Sequence, residues 1–191
     1  ARVLRMDYDT TRTRESYEQI LSAFGNGQAD ILVGTQMIVK GHDFPDVTLV
    51  GIVAADISLY ASDYRAAERT FQLLTQAVGR AGRGSKAGEA VIQTYMPEHY
   101  SIQTAAKQDY DAFYEQEILY RELMGYPPVN EMLGIYLSGK DLEKLESCVE
   151  QLAEWIRNAH VEGLCLIGPA DAALARKNDS YRKVIYMKHE K

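Results

Sequence analysis

Gln76-Ala77-Val78-Gly79-Arg80-Ala81-Gly82-Arg83-Gly84 sets two guanidinium groups three residues apart among small residues. On a helix that spacing puts Arg80 and Arg83 on one face. A guanidinium is planar and permanently charged, so a pair projecting from an uncluttered backbone can grip the terminal oxygens of a triphosphate and the charge that develops there during hydrolysis. Such a pair is an arginine-finger arrangement. Gln76, four residues before Arg80, is placed to orient a water or a phosphate oxygen. The same residues admit a plainer reading, a glycine-terminated helix end whose arginines satisfy the last carbonyls and favour the negative end of the dipole.

A second stretch, Thr35-Gln36-Met37-Ile38-Val39-Lys40-Gly41-His42-Asp43-Phe44-Pro45, directly follows an apolar run that reads as a strand. Strand ends are where an α/β sheet presents its ligands. A loop there needs a glycine for close backbone approach, a hydroxyl for a phosphate and a carboxylate for a ribose hydroxyl or an arginine. Thr35, Gly41 and Asp43 meet those needs. The plainer reading is a loop in which Asp43 caps a turn while His42 and Phe44 pack; His42 has no second histidine or cysteine at metal spacing and is read as structural.

Elements must hold these loops. Val3 to Asp7 reads as a strand, and Asp9-Thr10-Thr11 caps or leads into a helix through Tyr17, Ile20, Leu21 and Phe24 that ends at Gly25-Asn26-Gly27. Ala29 to Gly34, Val47 to Val53 and Glu89 to Thr94 are three more strands, and Tyr64 to Val78 is a helix with Phe71, Leu74 and Val78 inward. Continuous β-branched runs between helices predict parallel strands buried on both faces, hence an α/β unit over residues 1–95. Residues 96–128 read as a helical connector, stopped by Gly125-Tyr126-Pro127-Pro128. Over 129–191, a strand (Met132 to Leu137), an amphipathic helix (Leu142, Leu145, Val149, Leu152, Ile156, Ala159) and two strands (Leu164 to Ile167, Tyr181 to Met187) predict a small α+β domain.

Composition narrows the function classes. The 191 residues are 46% hydrophobic and 25% charged, as in ordinary globular proteins. No apolar run approaches the roughly 18 residues of a membrane span, and Ala1 to Arg5 has no signal-peptide pattern, so the expected compartment is the cytoplasm and no membrane partner is expected. Cys148 and Cys165 lack C-x-x-C spacing and suggest neither zinc nor a disulfide. A net charge of −6 argues against binding nucleic acid through the whole surface. Local charge differs: the final sixteen residues hold Arg176, Lys177, Arg182, Lys183, Lys188 and Lys191 against Asp179 and Glu190. Arg176, Lys177, Arg182 and Lys183 are candidate contacts for DNA phosphates; their plainer role is to solubilise a strand edge.

The strand ending Gly34-Thr35-Gln36, then Lys40-Gly41-His42-Asp43-Phe44-Pro45, and later Gln76 to Arg83, resemble motifs V and VI of superfamily 2 helicases. With Asp46-Val47-Thr48-Leu49-Val50, Ala55-Asp56, Asp63 to Arg69, Tyr95 to His99, Gly125 to Pro128 and Ser180 to Lys183, they resemble the bacterial replication-restart helicases, the primosomal protein N′ or PriA family, over essentially the whole chain. The resemblance implies the second RecA-like lobe of an ATP-dependent 3′–5′ DNA helicase followed by the family's C-terminal domain. It implies Arg80, Arg83 and Gln76 as catalytic, Gly41 and Asp43 as nucleotide-binding, and Thr35 and Gln36 as DNA-binding. It further implies ATP and Mg2+ held mainly by a first lobe, forked and single-stranded DNA as substrates, and single-strand DNA-binding protein and primosome components as partners. The family's zinc-binding cysteines have no counterpart here. Neither has the phosphate-cradling loop: Gly134 to Lys140 fits G-x-x-x-x-G-K, but Asp141 stands where Ser or Thr is required and Ile135-Tyr136-Leu137 is strand-like, so the match is fortuitous and Asp141 reads as a helix N-cap. The expectation is a C-terminal fragment, inactive alone, whose N-terminal edge exposes apolar surface. A non-catalytic DNA- or protein-docking module is the alternative.

Overall fold

The computed structural model describes residues 1–39 and 44–190. Val3–Met6 (β1) and Ile31–Gly34 (β2) pair in parallel, with helix Arg14–Gly25 (α1) as their crossover. Leu49–Ile52 (β3) and Glu89–Ile92 (β4) form a second parallel pair, joined through helix Ala66–Val78 (α2). Parallel pairing with helical crossovers is what the apolar strands and intervening helical periods predict. The expected burial on both faces is corrected, because Val3, Ile31, Val33, Leu49 and Val91 are exposed and each pair buries only alternate residues. The cap of α1 is Thr13, not Asp9 to Thr11: its side chain accepts from the Ser16 amide in a capping box, while Asp7 and Thr10 close a turn of their own.

The chain divides into two units, 1–113 and 114–191. The 96–128 stretch is shared between them. It is two helices, Tyr100–Lys107 (α3) and Tyr110–Met124 (α4), interrupted where Gln108 turns left-handed and the Asp109 carboxylate accepts from the Ala112 amide. The core of the first unit gathers Ala55, Phe71, Leu74, Ile102, Ala105 and Phe113, and the rings of Phe71 and Phe113 stack at 4.2 Å. Thus α2 presents Ala66, Thr70, Phe71, Leu74 and Ala77 inward at three- and four-residue steps.

In the second unit Glu131–Gly139 (β5), Leu142–Asn158 (α5), Leu164–Lys177 (β6) and Ser180–His189 (β7) give an antiparallel sheet of order β5-β7-β6 with α5 on one face. Leu145, Val149 and Ala153 of α5 pack on Ile185 of β7. Asp141 caps α5, accepting from the Lys144 amide at 3.1 Å, and the fortuitous G-x-x-x-x-G-K lies along β5. Strand β6 runs ten residues past its expected end, because the irregularity between Ile167 and Ala170, at Gly168-Pro169, lets the chain resume pairing. Among the described residues no helix is long and apolar enough to cross a membrane.

Two carboxylates of the first unit are held by the fold, Asp56 at long range and Asp63 at the start of α2. Asp56, buried, accepts from the Tyr95 amide at 3.1 Å and the Thr94 hydroxyl at 2.9 Å, and these bonds hold its carboxyl below the usual range. Asp63 accepts from Arg65 and pairs with Arg69 at 2.9 Å, and is lowered chiefly by the Arg65 hydrogen bond. A carboxyl lowered by folding contributes stability that is complete above its unfolded value, about 3.9, and is lost as pH falls through the folded value. The melting temperature of the first unit is therefore expected to hold from pH 7 to about 5 and to fall below about pH 4. Thermal scans should show a smaller acid loss for Asp56→Asn and Asp63→Asn; an equal loss in both variants contradicts the assignment.

Candidate functional site

The arginines emerge from the end of α2. Gly79 is its C-cap, its amide bonded to the Thr75 carbonyl at 3.0 Å, and the amides of Arg80 and Ala81 bond to Ala77 and Val78 in tighter turns. Arg80 and Arg83 therefore do not share a helix face as the spacing predicts: the helix stops at Val78 and both lie in the loop beyond it. Gln76 remains on α2 and is exposed. Arg80 is half-buried, with its Nε shielded from solvent, while Arg83 is exposed and its Nε donates to the Gly79 carbonyl at 2.7 Å. That last bond is the helix-end contact of the plainer reading.

Three backbone contacts fix this loop. Gly82 sits at φ 71°, a region closed to most side chains, and its amide donates to the Val47 carbonyl at 2.9 Å. A Cβ on Gly82 would fall 2.5 Å from the Gly88 nitrogen, so the loop closes on itself only with glycine. Gly84 lies against the Pro45 carbonyl. The contacts with Pro45 and Val47 bring the chain leaving the Thr35-to-Pro45 stretch against the arginine loop, joining two segments some thirty residues apart in sequence. The loop enters β4 from its amino end, not from the carboxyl ends where strand-end reasoning looks.

Thr35 and Gln36 are exposed where β2 ends, and the short 3-10 turn Gln36–Val39 packs against α2. The Thr35 carbonyl accepts from the Ile38 amide at 3.1 Å. Phe44 packs edge-on against Phe24 of α1 at 5.0 Å, as its packing reading expects. Lys40, Gly41, His42 and Asp43 lie outside the described residues. The donors in view are guanidinium, amide and hydroxyl groups. They suit anionic phosphate oxygens better than a divalent cation, and among the described residues no group of three or more His, Cys, Asp or Glu is placed to hold a metal ion.

The basic candidates of the second unit fall into different settings. Lys183 sits between Glu146 at 2.9 Å and Asp171 at 3.0 Å, on the α5 side of the sheet, and its ammonium is raised chiefly by the Glu146 bond. Arg176 pairs with Asp179 at 3.1 Å and lies over the Tyr181 ring. Lys177 is exposed at the β6–β7 turn, and Arg182 lies on the sheet face opposite Lys183, where among the described residues it makes no ion pair. Four charges adjacent in sequence thus do not form one patch, because alternation along β7 sends neighbours to opposite faces.

Comparison with known proteins decides the family. Residues 2–85 match the helicase conserved C-terminal domain and residues 122–191 the primosomal protein N C-terminal domain. The replication restart protein PriA of Bacillus subtilis is 46% identical over 190 residues, covering the whole of this chain and 24% of that protein. The chain belongs to the PriA family. The PriA proteins of Synechocystis and Haemophilus influenzae are 40% and 37% identical, each over 98% of this chain and about a quarter of their own length. The α/β unit carrying the arginine loop is accordingly a helicase C-terminal lobe, and the PriA-specific match lies within the α+β unit. The sequence missed the contacts that seat the loop, Gly82 on Val47 and Gly84 on Pro45; only the glycine spacing hinted at them.

Proposed function

We propose that this chain supplies the arginine-bearing half of the ATP site in a 3′–5′ DNA helicase that restarts stalled replication forks by primosome assembly, with forked and single-stranded DNA as substrates. One observation carries the reading: a loop bearing two arginines, mounted on a packed helix and held through Val47 and Pro45 to the strand-end segment of the same lobe. A preorganised guanidinium meets developing phosphoryl charge without reorganising at the moment of reaction. Arg80 and Arg83 neutralise that charge, Gln76 orients the attacking water, and Gly41 and Asp43 complete the contact with the nucleotide. ATP and Mg2+ would be held mainly by a first lobe, where the metal would supply neutralising charge at the phosphates. Thr35 and Gln36 grip the DNA backbone, the second unit adds contacts of its own, and closure and reopening of the lobes translates the strand. Single-strand DNA-binding protein and primosome components are the proposed protein partners, and the cytoplasm the proposed location.

The Arg83-to-Gly79 hydrogen bond favours a second reading, a non-catalytic module whose arginines finish a helix and dock DNA or protein. That bond uses one of the five N–H donors of a guanidinium, so it is compatible with a grip on an oxyanion. The 191-residue chain is expected to hydrolyse ATP no faster than buffer, with or without DNA, since half a bipartite site has no phosphate cradle. Phosphate release measured from the purified chain tests this. DNA-dependent turnover by the chain alone would overturn the division of the site.

A further inference from the structure

The sheet face of the second unit turned away from α5 carries an aromatic pair that the helicase reading leaves unused. Residues opposite one another in an antiparallel ladder share a face. Ile185 and Lys183 point to α5, so Gly134 opposite Tyr186, and Tyr136 opposite Val184, lie on the other side. The tyrosine hydroxyls bond to each other at 2.9 Å, with ring centroids 6.1 Å apart and planes at 89°. A Cβ on Gly134 would meet the Tyr186 ring at 3.1 Å and the Tyr136 ring at 3.2 Å, so the bare backbone there is the floor on which both rings lie. Tyr136 is 55% exposed, an unusual state for a ring held this firmly.

Charge identifies the occupant. The same alternation of β7 carries Arg182 on one side of Tyr186 and Lys188 on the other, and no Asp or Glu occupies that alternation in β5 or β7. Lys188 Nζ also lies 3.7 Å over the Tyr126 ring, which adds a third aromatic at that end. An exposed ring, Tyr136, beside a half-buried one, Tyr186, flanked by cations, matches bases flanked by phosphates, and a duplex does not offer its base faces. We propose that Tyr136 and Tyr186 form a stacking platform for bases of single-stranded DNA, with Arg182 on the adjoining phosphate. The hydroxyl bond and the Gly134 floor order both rings before binding, so little side-chain freedom is lost when a base stacks. This rests on the reading that the second unit contacts DNA, and it names the surface and the mode.

The test uses the 191-residue chain and fluorescein-labelled oligothymidylate, beside an abasic oligomer of the same length, across a salt series. Tyr136→Ala and Tyr186→Ala should each weaken oligothymidylate binding about ten-fold or more. Tyr136→Phe and Tyr186→Phe, which keep the rings, should stay within about two-fold. The tyrosine variants should leave the salt slope unchanged, whereas Arg182→Ala should lower it by about 0.7. The abasic oligomer should bind more weakly than oligothymidylate and be indifferent to the tyrosines. Circular dichroism checks the fold, and the Phe variants and the exposed Tyr136 keep the test open if Tyr186→Ala unfolds. Equal binding of both oligomers, with tyrosine variants unchanged and Arg182→Ala weakened, overturns the platform while DNA contact stands. Affinity unchanged in every variant gives the face to a protein contact and also overturns the platform. No binding of either oligomer at low salt overturns both.

Discussion

Alanine in place of Arg83 is expected to lower DNA-stimulated ATP turnover in a full-length helicase carrying this chain by about 10³-fold or more, and Arg80→Ala to do the same to a similar order. Such a loss corresponds to about 4 kcal/mol of transition-state stabilisation. Nucleotide affinity should change far less, since the charge met by the guanidinium develops on the way to the transition state. The structure bounds the competing effect: losing the Arg83-to-Gly79 hydrogen bond removes one end-of-helix contact, worth about 1 kcal/mol, and Gly82 and Gly84 still seat the loop. Arg83→Lys should recover little, because an ammonium keeps the charge but not the planar fork. Wild-type turnover in both alanine variants would leave the helix-end reading in place.

The second large effect concerns the support beneath the loop. Phe113 is 4% exposed, stacked on Phe71 of α2 and close to Tyr100, so Phe113→Ala should cost the first unit about 3–5 kcal/mol by removing apolar contact and leaving a cavity against α2. That is a large share of the roughly 5–15 kcal/mol available to a domain. Urea unfolding followed by near-ultraviolet circular dichroism measures it, with Ile57→Ala, at an exposed position, expected within about 0.5 kcal/mol of wild type. Equal stability of the two variants would mean that Phe113 does not brace α2.

These expectations show what a sequence carries about such a lobe. The amphipathic period of α5 and the Asp141 cap are local, so the second unit was legible nearly element by element. The interruption between α3 and α4 was not, because no glycine or proline marks it: left-handed Gln108 ends α3 and the Asp109 side chain caps the start of α4. Parallel pairing was legible from apolar strands; the exposed faces of Val3, Ile31 and Leu49 were not, since β-branched runs look alike whether one face is covered or two. At the site, residue types and spacing pointed to Arg80, Arg83 and Gln76, but the helix face did not survive Gly79 and Gly82. The joins from Gly82 to Val47 and from Gly84 to Pro45 are long-range backbone contacts, which no side-chain pattern encodes. Alternation in β7 was legible, but its meaning for Arg182 and Lys183 needed the position of α5.

The central claim is that the arginine loop meets the transferring phosphoryl group, and binding of ADP with aluminium fluoride, a mimic of that state, tests it most directly. Titrations of ADP alone and of ADP with aluminium fluoride against full-length wild type and Arg83→Ala, in the presence of DNA, give the two affinities. The mimic should lose about 10²-fold or more on substitution, and ADP less than about ten-fold. Equal losses for the two ligands, or none for either, would contradict the claim.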